Sequence, residues 1–244
     1  MSIDCQKIPV SEKNIVRACS FTIKKVSVFI LSIVLLSVLI FSFSAGKAET
    51  YNEVFAGNKY YEYMQDIYKN HNSHYCQKLR ILSITSYFRE RNSSLSKKLA
   101  KTYATLVERY SRINNADPFL SAAVLVRESN VRRKANNSNI AYGFMQINWR
   151  ANGEWIKRKF PKINRPKDLY RTVNNLKVGT YILGQDLKMS EGNTDKALDK
   201  YRGKSLISYR IDVLNHYEEV TRRFKKLKNG DLGYTLTDIY HRIF

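Results

Sequence analysis

Eight consecutive residues, Phe119 to Val126 (FLSAAVLV), are apolar or small on every side. A helix built from them has no face left for water, so it must sit inside a domain with other helices packed around it. The segment before it is a helix-entry signal, because Asp117 can accept from the free amides of a first turn and Pro118 suits the first helical position. At its far end stands Arg127-Glu128-Ser129, which places one carboxylate at the close of an otherwise apolar segment.

The partners for that buried helix are visible as stripes of helical period. They fall at positions 60, 63, 64, 67 and 68; at Leu79, Leu82, Ile84, Tyr87 and Phe88; and at Leu95, Leu99, Tyr103, Leu106 and Tyr110. Downstream come a short piece around Trp155, Ile156 and Phe160, closed by Pro161 and Pro166, and a long stripe from Leu169 to Leu187. A further piece follows at Ala197, Leu198 and Tyr201, and a last amphipathic helix at Tyr209, Val213, Tyr217, Val220 and Phe224. Gly179 and Gly184 interrupt the long stripe at a cost of about 1 kcal/mol each relative to alanine, which implies close helix contact at both positions. No stretch alternates with β-branched enrichment, so the expected class is all-α. Between the buried helix and Gly143, the stretch RRKANNSN is polar and turn-prone, a surface loop or the rim of a cleft.

Val26 to Ala45 is an uncharged apolar run of 20 residues, long enough as a helix to cross a hydrocarbon core of roughly 30 Å. Lys7, Lys13, Arg17, Lys24 and Lys25 precede it against Asp4 and Glu12, which favours a cytoplasmic amino terminus and an exported remainder. A cleaved signal peptide is the competing reading, with small residues at Ser44-Ala45-Gly46 and Gly46-Lys47-Ala48. The run exceeds the usual length of a signal core, and the polar region before it is long. Both readings place residues beyond the run outside the cytoplasm, periplasmic or extracellular.

Charge narrows the surroundings. The chain holds 42 Lys and Arg against 21 Asp and Glu, a formal charge of +21, so its partner or setting is expected to be anionic. No RNA or DNA module signature accompanies this charge, and no nucleic acid is expected. Cys5 and Cys19 precede the apolar run and only Cys76 follows it, so no disulfide can form within the exported part. The four histidines, His71, His74, His216 and His241, are scattered, and His71 and His74 read as solvated helix-surface residues. No metal or cofactor is expected.

Glu128 is the candidate for chemistry. A carboxyl at the end of an apolar helix is partly desolvated, which raises its pKa, and the partial negative charge of a helix carboxy terminus pushes the same way. An acid still protonated near neutrality can give its proton to a leaving oxygen, as glycosidic cleavage requires. The alternative from helix chemistry alone is a salt bridge to Arg127 or a nearby base.

Three blocks in order resemble the soluble lytic transglycosylase family, the SLT domain of bacterial cell-wall enzymes related in fold to goose-type lysozyme. They are Glu128-Ser129 at the end of an apolar helix, Gly143-Phe144-Met145-Gln146-Ile147 beside the family's Gly-Leu-Met-Gln-hydrophobic motif, and Ala197-Leu198-x-x-Tyr201 beside its Ala-Leu-x-x-Tyr-Asn motif. Asn175-Leu176 and Gly179-x-Tyr181-Ile182-Leu183 fall where the family has its long central helix.

The resemblance covers roughly residues 112 to 222. It implies a lysozyme-like helical domain, with Glu128 as the single catalytic acid cleaving between N-acetylmuramic acid and N-acetylglucosamine in peptidoglycan, leaving 1,6-anhydromuramoyl ends. It further implies that Ser129 and Tyr201 orient the glutamate, Tyr201 by a hydrogen bond. Gly143, Met145 and Gln146 would meet substrate, although Met145 and Phe144 read more simply as core or cleft wall. A single acid suffices because no water enters. Asp168, Asp186, Asp195, Asp199 and Asp212 read as solvated, in helix-surface or capping positions.

Two departures from the pattern bear on the cleft. Arg202 stands where the family has asparagine, followed by Gly203, and Asn148-Trp149 follows Ile147. The organisation expected is a cytoplasmic segment (1–25), a transmembrane anchor (26–45), a stalk and helical extension (46–111), the catalytic domain (112–225) and a tail (226–244). The function expected is a membrane-anchored lytic transglycosylase, with envelope machinery a possible partner. A hydrolytic lysozyme and an inactive peptidoglycan-binding or assembly protein are the alternatives.

Overall fold

A computed structural model describes residues 73–138 and 140–229. The apolar run at 26–45, the stalk, the stripe at 60–68, His71, His241 and the tail from residue 230 lie outside them. Among the described residues no helix is long and apolar enough to cross a membrane.

Helix α1 (His74–Arg91) starts on Ser73, whose hydroxyl accepts from the Cys76 amide, and α2 (Lys97–Ile113) starts on Ser96, which accepts from Leu99. Helix α3 (Pro118–Ser129) starts where the sequence places it: Asp117 Oδ1 accepts from the amides of Phe119 at 2.7 Å and Leu120 at 2.9 Å. Every residue from Phe119 to Val126 is buried. Helix α4 (Trp149–Lys159), a 3-10 turn (Pro166–Tyr170), α5 (Thr172–Met189), α6 (Thr194–Arg202) and α7 (Ile207–Asn229) complete the helical part.

Helix α3 lies at the centre, against α7 on one side and α1 and α2 on the others. Phe119 meets the rings of Tyr217 and Phe224 of α7 at centroid distances of 6.2 and 5.4 Å. Helix α5 lies along α2 and carries α6 on another side. Its two glycines allow close approach elsewhere along it: a Cβ at Gly184 would strike the Asn114 carbonyl at the end of α2, and one at Gly179 would strike Met145 in the turn before Ile147. A second, smaller core of Tyr142, Ile147, Ile156, Ile163, Leu169 and Val178 joins α4, the 3-10 turn and α5.

Helix α1 is built into the same core as the expected catalytic domain. Arg80, wholly buried, reaches Glu108 of α2 with Nη2 to Oε1 at 2.7 Å and Nε to Oε2 at 3.0 Å. Two buried charges tolerate burial only in such a mutual arrangement, and removing either partner costs about 3–5 kcal/mol.

Three features depart from the sequence reading. The first is a small antiparallel sheet, β1 (Asn136–Asn137), β2 (Ala141–Tyr142) and β3 (Ile147–Asn148), with Ala141 opposite Asn148 and Tyr142 opposite Ile147. Strands of two residues are too short to show alternation, so no periodicity signal exists for them. Second, α2 buries Ala100, Tyr103, Ala104, Val107, Glu108 and Ser111 and leaves Leu99 exposed, so the buried face is rotated from the apolar stripe and includes Glu108, the partner of Arg80. Third, Asp168 and Asp186 are buried rather than solvated. Asp168 caps the 3-10 turn, accepting from the amides of Asn164 and Arg165. Asp186 Oδ2 has no hydrogen-bond partner among the described residues, and burial pushes its carboxyl up to about 6.

Candidate active site

Glu128 occupies the last turn of α3, and its carboxylate lines a cleft of about 710 Å³. The chain leaves the helix abruptly: Asn130 and Val131 both adopt left-handed backbone, with φ of 48° and 59°. For a β-branched residue such as Val131 that conformation is strained, and the Val131 carbonyl is held by the Asn92 side chain. The sharp exit turns the polar loop back over the helix end. It supplies one wall of the cleft through Arg132, Lys134, Asn136 and Asn137.

The opposite wall is set by Asn175 of α5. This buried side chain accepts from the Met145 amide at 2.9 Å and donates to the carbonyls of Tyr142 at 2.8 Å and Leu169 at 2.9 Å. A buried amide so fully satisfied fixes the backbone around it. Gly143 (φ 76°) lies directly against it, and any Cβ there would run into Asn175 and the Leu169 carbonyl. Gln146 follows in left-handed backbone (φ 44°), its side-chain amide donating to the Gly143 carbonyl at 2.8 Å, and it lines the cleft.

Of the residues expected to meet substrate, Gln146 therefore does line the cleft, whereas Gly143 and Met145 are buried behind its wall. Gly143 permits the close approach of Asn175, and Met145 packs on Gly179.

Of the two residues expected to orient Glu128, neither hydrogen-bonds it directly. Ser129 is buried, and its hydroxyl donates back to the Leu125 carbonyl at 3.1 Å, which binds it to its own helix. Tyr201, on the wall of the cleft, donates to the Met145 carbonyl at 2.8 Å and so ties α6 to the turn that carries Gln146. The hydroxyl on the glutamate belongs to Tyr209 of α7, which donates to Glu128 Oε1 at 2.7 Å. In sequence Tyr209 is indistinguishable from the other apolar positions of its stripe. Only its place opposite the end of α3 gives its oxygen a task.

The electrostatics follow from these positions. Burial raises the Glu128 pKa above the ordinary value, opposed by the Tyr209 hydrogen bond and then by the positive charges of Arg202 and Arg127. Arg127 is not the partner of Glu128. Its Nε makes an ion pair with Asp212 at 2.8 Å. The guanidinium carbons of Arg127 and Arg202 lie 5.4 and 5.9 Å from the centroid of the Tyr209 ring. Glu128 is the one carboxylate lining this cleft among the described residues. The sequence departure at 202–203 takes concrete form as well: Gly203, in left-handed backbone at φ 77°, caps α6, and Arg202 extends into the cleft.

No curated protein and no solved structure matches the chain. A family model does, beginning within α2 and ending in the first turn of α7 at the residue after Tyr209. Residues 105–210, which hold Glu128, Gln146, Asn175, Tyr201 and Tyr209, match the family described as the transglycosylase SLT domain, the domain of the soluble lytic transglycosylases.

Proposed function

We propose that this chain is a membrane-anchored lytic transglycosylase. It cleaves the β-1,4 bond between N-acetylmuramic acid and N-acetylglucosamine outside the cytoplasm and leaves 1,6-anhydromuramoyl ends. The family match supports peptidoglycan as the substrate. Anchoring rests on the apolar run at 26–45.

The observation that carries the mechanism is Glu128, a partly buried carboxyl whose pKa burial raises, facing an open cleft with one tyrosine hydroxyl on it. Protonated, it gives its proton to the glycosidic oxygen as the C1–O bond breaks. The resulting carboxylate, held by the Tyr209 hydroxyl, takes the proton of the muramoyl 6-hydroxyl as that oxygen bonds to C1. One group serves both steps, and the second carboxylate that hydrolysis with inversion or retention requires has no part to play.

The test is digestion of purified peptidoglycan sacculi with the full-length chain, followed by mass spectrometry of the released muropeptides. Anhydro ends are expected. Reducing ends would make the enzyme a lysozyme, and binding without release would make it a scaffold. Glu128→Gln should bind and release nothing, because an amide cannot deliver the proton.

A further inference from the structure

The cleft is charged in a way that the sugars of peptidoglycan do not explain. N-acetylated glucosamine and muramic acid rings are neutral, yet Arg127, Arg132, Lys134 and Arg202 line the same cleft as Glu128. Two of these are held by protein oxygens. Arg127 pairs with Asp212, and the Arg132 Nε donates to the Ser129 carbonyl at 3.0 Å. Lys134 and Arg202 are exposed, and neither forms an ion pair with a carboxylate among the described residues.

They line the cleft from two different elements. Lys134 comes from the loop after α3, and Arg202 from the last residue of α6, where Gly203 ends the helix. A positive charge beside a general acid disfavours its protonated form, so near neutrality Arg202 reduces the share of the enzyme that holds the proton it must give. Its place in the cleft makes chemical sense if an anion arrives with the substrate and neutralises it.

We infer that Lys134 and Arg202 form a seat for a carboxylate carried on the lactyl arm of the muramoyl residue. This rests on peptidoglycan being the substrate. The chemistry has two sources: the bare lactyl carboxylate of a strand stripped of its peptides, or a free carboxylate of an attached stem peptide. Either charge sits on the sugar that the cleft must hold beside Glu128, whereas the glycan backbone offers none.

Binding is measured to the full-length Glu128→Gln protein, so that the result does not depend on turnover. Four soluble glycan fragments are compared: peptide-bearing, peptide-stripped, and each of these with its carboxylates converted to neutral amides. Amidation is expected to weaken binding about tenfold, and Arg202→Gln and Lys134→Gln to weaken it similarly for the charged fragments alone. A loss confined to the stripped pair assigns the seat to the lactyl carboxylate, and one confined to the peptide-bearing pair assigns it to the stem. Equal binding of charged and amidated fragments, or variants that weaken both alike, overturns the inference. Absence of binding by every fragment would instead refute peptidoglycan as the substrate.

Discussion

Replacing Tyr209 with phenylalanine removes one oxygen and leaves the buried ring in place. That oxygen donates to Glu128 Oε1 at 2.7 Å, and the ring keeps its neighbours Arg127 and Arg202. In the proposed mechanism the hydrogen bond is strongest when Glu128 is ionised, so it develops as the proton leaves for the glycosidic oxygen. An interaction gained on the way to the transition state appears in kcat rather than KM. A hydrogen bond to a charged group contributes about 1.5–3 kcal/mol, so kcat should fall on the order of 10- to 100-fold.

The pH profile gives the same hydrogen bond a second readout. Tyr209 lowers the Glu128 pKa, so its loss lets the acid hold its proton to higher pH. The alkaline limb of kcat should move upward while the maximum falls. Release of anhydro-muropeptides, followed from pH 4 to 9 with thermal melts of both proteins, measures both effects. Wild-type kcat with an unmoved alkaline limb in a folded Tyr209→Phe protein would refute the reasoning.

Other expectations concern the scaffold. Arg80→Leu should destabilise the fold by about 3–5 kcal/mol in urea unfolding, because Glu108 is left buried without its partner, and adding Glu108→Leu should restore much of the loss. Gly143→Ala combines left-handed backbone with a collision against Asn175, so the melting temperature should drop and the displaced Gln146 should reduce activity. Burial pushes the Asp117 carboxyl up to about 7, so between its ordinary range and pH 7 the folded protein binds more protons than the unfolded chain. Stability should therefore fall as pH rises from 5 to 7. Asp117→Asn keeps a capping oxygen and should flatten that dependence in melts across the range.

The helical class, the central helix, its Asp117 cap and the position of the acid at its end are all legible in the sequence, because each depends on neighbours within a few residues. So are the tight contacts at Gly179 and Gly184, since a glycine inside a helical stripe costs stability unless something lies against it.

The site's partners were not legible in this way. Tyr209 and Tyr201 differ in role because of where α6 and α7 cross the end of α3, and nothing local distinguishes a tyrosine that packs from one that donates to a carboxylate. The burial of Glu108 depends on Arg80, 28 positions away, and the wall of the cleft on a bond from Asn175 to Met145, 30 positions away. Sequence by itself determined which helix is buried and which acid ends it, because periodicity and capping are short-range. Only the tertiary structure decided which hydroxyl reaches that acid, which motif residues line the cleft and which are buried behind it, and that Arg202 faces the cleft. Those outcomes depend on the distances between helices that the chain brings together from far apart.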